Sequence, residues 1–432
     1  MEKKINILFD AITLGENDTK TKNRSGIWFT VYNILKEFSA NSNVNIYIYC
    51  SKKKLSTKLT QTLEKYFPDN NFKKLYIDTL GPFEYEHSKL TCAYKEKKKF
   101  LTKLKLFFVS ALKKVFKKQI NYKELTKDID VYFSPVYKIP DEIQNLTSIK
   151  KYTLLYDIIP ILFPDYFADK DMNKYWFTPV WKQLNKNDYY FTISEHTKRD
   201  FVEHCPYIDS EKITPVLLAC SENFKPEKDK TKASLEKYNL PTDKKYIFSL
   251  CTLEPRKNLI RAAKCFIEFI NKNKIEDMVF ILGGGHWEGF IEKMEHDIPH
   301  FEKYKHLILK AGYIDDEDLS PLYSGAEWFV YTSEYEGFGL PPLEAMSCGC
   351  PVITSNNSSL PEVVGNAGIM IDFDSDEQHV KAYEKYYFNE ELRKSYAQKG
   401  LERAKLFSWK KCAEQMINQF KINNYSISTS AR

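Results

Sequence analysis

The sequence predicts an α/β protein built as two doubly wound, parallel-sheet halves that face each other across a cleft. Three observations predict it. The chain has 432 residues, which suits two cores of roughly 200 residues better than one. Short apolar runs alternate with helix-period patterns along most of its length, the rhythm of βαβ units. That rhythm breaks once at a polar, lysine-rich stretch, residues 221–242, which carries Pro226 and Pro241 and reads as the junction.

In the first half, INILFD (5–10), NIYIYC (45–50), VYFSP (131–135), YTLLYDIIP (152–160) and YYFTIS (189–194) read as buried parallel strands. Helical patterns lie between them, from Ile27 to Phe38 and from Tyr175 to Asn185. The second half repeats the rhythm with KYIFSL (245–250), MVFILGGG (278–285), LILKAG (307–312), WFVYTS (328–333), PVITS (351–355) and GIMID (368–372). The expected division is 1–220 for a first domain and 221–409 for a second, with a last helix over about 410–432 packing back on the first. In sheets of this kind ligands sit at the carboxyl ends of the strands. With two such sheets, the site is expected in the cleft between them.

One segment departs from the rhythm. Within an insertion over about 84–127, residues 95–118 read KEKKKFLTKLKLFFVSALKKVFKK. Phe100, Leu101, Leu104, Phe107, Phe108, Ala111, Leu112, Val115 and Phe116 recur at helical spacing, with lysines on much of the other face. Two readings follow: a helix lying in an anionic membrane interface, or a helix whose apolar face covers the first domain.

The bulk numbers narrow the class. The net charge is +6, too mild an excess to argue for nucleic acid. The N-terminus runs directly into a strand pattern without a signal-like apolar core, and no apolar run is long enough to span a bilayer. Nine scattered cysteines form no C-x-x-C pair, so reduced thiols in a cytoplasmic protein are expected. Cys348 and Cys350 read as small packing residues at a helix-to-strand turn.

The chemistry concentrates in SEYEGFGLPPLEAMSCGCPVITS, residues 333–355. Pro341 and Pro342 fit only the first turn of a helix. Glu336 is therefore expected on the loop after strand 328–333, Glu344 in the first turn of the next helix, and Gly349 at that helix's end. Gly337 and Gly339 let backbone approach a ligand closely. The free N–H groups of Phe338, Gly339 and Leu340 then offer a site for phosphate or sugar hydroxyls at a positive helix terminus. Two carboxylates there can each accept hydrogen bonds from a vicinal diol.

These residues carry a resemblance. The E-x7-E string EGFGLPPLEAMSCGCPVI is similar to the signature of family-4 glycosyltransferases, retaining enzymes of the GT-B fold. CTLEPRKNL (251–259), AGYIDDEDLSPLYSGAE (311–327) and LPEVVGNAG (360–368) resemble other motifs of that family, in the expected order. The likeness is close over most of 245–410 and loose in the first half. The E-P-R-K-N string and the YDIIP segment most resemble bacterial mannosyltransferases of O-antigen and other surface polysaccharides.

The resemblance implies roles. Glu344 would bind the nucleotide ribose, and Glu336 the donor hexose with the amides of Phe338 to Leu340. Arg256 and Lys257 would neutralise the diphosphate, a task that two fixed cations suit as the leaving group gains charge. Ala311 to Ile314 would contact the base largely through backbone, and Tyr313 could pack on it. Gly26, in Asn23-Arg24-Ser25-Gly26, would approach the donor phosphate and acceptor. Asp157 would be a polar contact to acceptor or donor sugar. Gly283, Gly284 and Gly285 read either as a close approach to ligand or as a tight turn. Ser194 reads as a helix N-cap, and His196 as a helical residue more than a reacting one.

The family needs no metal and no cofactor beyond its nucleotide-sugar donor, so the D-x-D strings at 128–130 and 372–374 are read as coincidence. Tyr156 stands where many relatives carry a histidine, and Cys251 where they carry glycine. The expected reaction is transfer of a hexose, mannose from GDP-mannose, to a surface glycan or lipid-linked acceptor. A UDP-sugar donor, a protein acceptor, an epimerase or hydrolase on the same fold, and a catalytically silent subunit are the alternatives the residues leave open.

Overall fold

A computed structural model describes residues 4–16, 26–70, 72–80, 83–97, 100–115, 119–166, 176–285, 287 and 289–425. Asn23, Arg24, Ser25 and the last residues of the predicted C-terminal helix, 426–432, lie outside the described residues.

Two parallel sheets form the frame. The first contains β1 (Ile5–Asp10), β2 (Val44–Tyr49), β3 (Lys73–Lys74), β4 (Val131–Ser134), β5 (Lys150–Leu155), β6 (Tyr189–Thr192) and β7 (Ile213–Pro215), in spatial order β3-β2-β1-β4-β5-β6-β7. The second contains β8 (Lys245–Leu250), β9 (Met278–Gly283), β10 (Ile308–Gly312), β11 (Trp328–Tyr331), β12 (Val352–Ser355) and β13 (Gly368–Ile371), in order β10-β9-β8-β11-β12-β13. Each sheet reverses direction of winding once, between β1 and β4 and between β8 and β11. Those are the switch points at which such sheets hold ligands.

The predicted strands are all present, with three differences. β3 and β7 are edge strands of two and three residues, too short for an apolar run to announce them. The strand expected over 152–160 stops at Leu155. The Asp157 carboxylate accepts a hydrogen bond from the N–H of Ile159 at 3.0 Å, and the helical turn Ile159–Leu162 follows, with Pro160 in its first turn. Of the helix expected from Tyr175 to Asn185, Tyr175 lies outside the described residues, and the helical stretch, whose α-helical part is Thr178–Trp181, ends at Trp181. Beyond it the Asn185 side chain takes the N–H groups of Asn187 and Asp188 at 2.8 and 3.2 Å, a local alternative to helix.

The helix Gly26–Ala40 follows β1 and buries Trp28, Val31, Ile34, Leu35 and Phe38. The last helix, Trp409–Tyr425, returns to the first sheet. Phe420 is fully buried, with its ring 4.6 Å from Tyr152, 5.5 Å from Phe191 and 5.9 Å from both Phe38 and Phe133. Gln415 also donates to the Pro215 carbonyl at 2.8 Å. The eight described cysteines are free thiols, and Cys348 and Cys350 are both buried.

The insertion folds as two helices, Glu84–Lys97 and Phe100–Val115. Residues 98–99 and 116–118 of the basic segment lie outside the described residues. Its apolar stripe does not cover the domain. Phe100, Leu101 and Phe107 are 77, 71 and 70% exposed.

Candidate active site

The second sheet's switch point gathers the charged residues. After β8 a short helical turn, Pro255–Lys257, is stopped by Asn258 in the left-handed region at φ 57°. The Asn258 side chain donates to the carbonyls of Thr332 and Phe373 at 3.2 and 2.6 Å. That bracing sets Arg256 and Lys257 beside the segment leaving β11.

Lys257 Nζ lies 2.6 Å from Glu336 Oε1 and donates to the Tyr331 hydroxyl at 2.7 Å. The Arg256 guanidinium is 3.0 Å from the same Glu336 oxygen, 3.4 Å from Glu254, and donates to the Tyr335 carbonyl. Arg256 therefore engages both acids, Glu336 more closely. All three members are buried: Arg256 is 6%, Lys257 8% and Glu336 8% exposed. Burial disfavours a charged carboxylate, but Lys257 and Arg256 outweigh it and hold the Glu336 pKa at about 2. Two cations share one glutamate, and among the described residues Arg256 Nε has no hydrogen-bond partner.

The loop carrying Glu336 is pinned by a serine-rich segment that sequence reasoning passed over. Ser358 Oγ accepts from Glu336 N–H at 3.0 Å, Ser359 Oγ donates to the Glu336 carbonyl at 2.8 Å, and Asn357 donates to the Glu334 carbonyl at 2.7 Å. The signal was available: S-S-L-P-E, just before a proline-started helix, is a helix-entry pattern.

This loop also meets the first domain. The Gly337 carbonyl accepts from Ser194 Oγ at 2.8 Å and from Thr197 Oγ1 at 3.0 Å. Ser194 is the N-cap of helix Glu195–His204, taking the Thr197 N–H at 3.0 Å. A Cβ on Gly337 would stand 2.5 Å from the Tyr156 carbonyl oxygen and 3.0 Å from Asp157 Cβ, so only glycine permits this approach. The Glu362 carboxylate reaches across to accept from the N–H of Glu195 at 2.8 Å and of His196 at 3.3 Å. Tyr335 donates to Asp200, whose other oxygen is 3.5 Å from His196 Nε2.

Asp157 thus lies against Gly337, one residue from Glu336. Burial is the main influence on its carboxyl, raising the pKa to about 6, against the Ile159 N–H and the field of Arg256. Tyr156, by contrast, is a core residue and its hydroxyl has no partner among the described residues. It does not take the place of a histidine in the cleft.

The helix Leu340–Ser347 starts ahead of the two prolines, so Glu344 sits in its second turn and not, as expected, in the first. Pro341 and Pro342 lack the N–H groups that a first turn leaves unpaired, which is why they lie inside the helix. Gly339 precedes it at φ 123° and Gly349 follows it at φ 72°. Among the described residues no protein acceptor meets the N–H groups of Phe338, Gly339 and Leu340. The Phe338 side chain itself is buried, its ring 6.0 Å from that of Phe407. Glu344 is half-buried and accepts from the Tyr323 hydroxyl at 3.0 Å. Burial pushes its carboxyl up to about 7, against that hydrogen bond and with help from the negative charge of Asp316.

Gly26 opens the helix Gly26–Ala40, and a Cβ there would be 3.7 Å from Leu340 Cδ1. The first residues of two helices, one from each half, therefore meet at Gly26 and Leu340, the latter four residues along the chain from Glu336.

The other expected donor contacts lie just past the ends of β9 and β10. A Cβ on Gly284, at φ 127°, would lie 1.8 Å from the Cys251 carbonyl oxygen. That closeness to backbone is enough to require glycine here, and of residues 283–285 it is Gly285 that has open space beside it. Ile314 is 4% exposed, its side chain against Gly283 in the core, so only its backbone remains for a ligand. Tyr313 beside it is 48% exposed. Of the D-x-D strings, Asp130 accepts the Asn6 N–H at 2.9 Å, and Asp372 is taken by Asn356 and Gln378, both at 2.6 Å. Asp315, Glu317 and Asp318 also converge, but on the Lys237 ammonium, at 3.0, 3.6 and 2.5 Å.

The pairing of two parallel, doubly wound sheets is the GT-B architecture of glycosyltransferases. Solved structures share it: a glycosyltransferase from Rickettsia africae ESF-5 superposes with TM-score 0.61 at 16% identity over 99% of this chain and 100% of that one. The Anabaena protein Alr3699/HepE, solved with UDP and glucose, gives TM-score 0.61 at 12% identity over 96% and 99% of the two chains. At those identities the likeness speaks for fold alone.

Sequence likeness goes further. Residues 230–403 match the family described as "Glycosyl transferases group 1". The O-antigen chain mannosyltransferase B of Escherichia coli is 31% identical over 294 residues, 68% of this chain and 74% of that protein. The E. coli serotype-specific mannosyltransferase WbdA is 26% identical over 275 residues, where the match spans 63% of this chain and 33% of that longer relative. The chain belongs to the group 1 glycosyl transferases, and it is a hexosyltransferase.

Proposed function

We propose that the protein is a retaining, metal-independent mannosyltransferase that moves mannose from GDP-mannose to a glycan of a surface polysaccharide, carried on a lipid at the inner face of the cytoplasmic membrane. The observation that carries this reading is the buried Lys257–Arg256–Glu336 cluster. Its mannose component leans on the E. coli relatives, whose names describe O-antigen mannosyltransferases.

In this reading the nucleotide lies on the 221–409 half and the acceptor on the 1–220 half. The Glu344 carboxylate takes the ribose diol. The diphosphate lies toward Arg256, Lys257 and the N–H groups of Phe338 to Leu340, where helix-terminal N–H groups favour anions. Glu336 takes hexose hydroxyls, and Asp157 and Gly26 border the reacting atoms. The bond from the anomeric carbon to the β-phosphate oxygen breaks, and the acceptor oxygen bonds to that carbon on the same face. The acceptor proton passes to the departing phosphate, leaving GDP and an α-linked product. Arg256 and Lys257 stabilise the charge that grows on the phosphate.

A stability screen against GDP-mannose, UDP-N-acetylglucosamine, UDP-glucose and GDP, followed by transfer to purified lipid-linked glycan, tests the donor. GDP-mannose is expected to raise the melting temperature most, and the product's anomeric configuration by NMR to match the donor's. A larger shift with a UDP-sugar would replace the donor, and an inverted product would overturn the retaining reading. Activity is expected to survive EDTA. Loss restored by magnesium would overturn metal independence.

A further inference from the structure

The helix Phe100–Val115 is built the wrong way round for a domain-covering helix. At 100° per residue, Phe107, Phe100, Ala111, Leu104, Phe108, Leu101 and Leu112 occupy one arc of about 140°. Phe100, Leu101, Phe107, Phe108, Leu104 and Leu112 on it are 77, 71, 70, 59, 45 and 39% exposed. The opposite arc, with Leu106, Val109 and Ser110, is the less exposed one. It faces the partner helix Glu84–Lys97, where Ser110 Oγ lies 3.0 Å from His87 Nε2. The richer apolar face is thus turned to the outside. A contiguous exposed patch of this kind marks an interaction surface.

Charge says what covers it. Lys103 and Lys105, both exposed, stand just beyond the two borders of the apolar arc. Residues 95–118 hold ten lysines and one glutamate, a net +9 against +6 for the whole chain, so the remainder is net negative. The positive charge is therefore concentrated on this one segment. A second copy of the chain would bring two such segments together in repulsion. An apolar stripe on a convex helix edged by lysines fits a lipid interface, with aromatic and leucine side chains at the acyl boundary and ammonium groups among phosphates.

We propose that this helix lies in the interface of an anionic phospholipid bilayer, with Phe100, Leu104, Phe107 and Phe108 inserted and Lys103 and Lys105 against the headgroups. It would hold the enzyme beside a membrane-borne acceptor. That purpose rests on the acceptor proposed above, whereas the binding itself does not.

The test uses the full-length protein in co-sedimentation with vesicles of phosphatidylcholine alone and of phosphatidylcholine with one quarter phosphatidylglycerol. Parent protein is expected on the anionic vesicles and weakly, if at all, on the neutral ones. F107D/F108D is expected to abolish binding, and K103E/K105E to weaken it by roughly tenfold or more at physiological salt. Both variants should keep the parent's melting temperature and its transfer rate to a short water-soluble acceptor. No binding of parent protein to anionic vesicles, or equal binding by F107D/F108D, would overturn the proposal. So would a concentration-dependent dimer that F107D/F108D dissolves while the parent ignores vesicles. Vesicle binding with no transfer to any glycan would instead strike only the functional reading.

Discussion

Lys257 Nζ and Glu336 Oε1 are 2.6 Å apart in a buried site that also holds Arg256 at 3.0 Å from the same oxygen. The carboxylate occupies cations that a diphosphate would otherwise attract. Glu336→Gln frees them without changing shape. We expect GDP alone to bind as well or better by calorimetry, while transfer falls about a hundredfold or more, the size seen when one preorganised polar contact is lost. Unchanged transfer would remove Glu336 from the reaction. The same pair sets an acid limit. The folded pKa of about 2 lies below the ordinary 4.5, so this group's stabilisation is complete above 4.5 and fades as pH falls toward 2. Acid unfolding of Glu336→Gln should show a shallower stability loss over that window.

Glu344 behaves oppositely. Its pKa of about 7, against an ordinary 4.5, means that its contribution to stability is full below 4.5 and is lost as pH rises through 7. A ribose diol donates to the charged form and should draw the pKa down. GDP binding near pH 6.5 is therefore expected to release a fraction of a proton, read from calorimetry in buffers of different ionisation heat. Glu344→Gln should abolish that release and weaken GDP by roughly 1–2 kcal/mol. Release that persists in Glu344→Gln would assign it to another group, such as Asp157.

Gly337 brings the halves into close contact, with 2.5 Å from its virtual Cβ to the Tyr156 carbonyl oxygen. Gly337→Ala must push the halves apart. We expect a folded protein with melting temperature near the parent's, a larger radius of gyration in solution scattering with GDP bound, and transfer reduced at least tenfold. Full activity would mean that the contact is not needed for turnover.

Glu362 belongs to the second half but caps a helix of the first, through the N–H groups of Glu195 and His196 at 2.8 and 3.3 Å. Glu362→Ala should cost about 1 kcal/mol, the worth of a helix cap. Much of that cost should appear as a raised KM, because the cap forms only when the halves meet. A fall in melting temperature with unaltered kinetics would make Glu362 purely a stability residue.

The serine-rich segment offers the same lesson as Glu362. Asn357, Ser358 and Ser359 hold the Glu336 loop through its backbone, and their identity gives no hint of which loop they will meet. Gly284 and Gly26 make the converse point. Both looked alike as bare residues near strand ends, yet Gly284 is filled by the Cys251 carbonyl while Gly26 faces Leu340 across the halves. A glycine reports that something comes close, and only the tertiary structure says what.

By itself the sequence determined the two parallel sheets, because apolar runs of buried strands and their helical spacing are local properties of the chain. It also set Arg256, Lys257 and Glu336 just past the carboxyl ends of strands, where doubly wound sheets collect their ligands, while Glu344 joined them only through the likeness of the E-x7-E string to a family signature. The tertiary structure decided three things. It paired Glu336 with both cations, moved Glu344 one turn into its helix, and turned the apolar face of Phe100–Val115 outward. Each depends on which surfaces meet across long stretches of chain, and amphipathic spacing marks a face without fixing the direction in which it points.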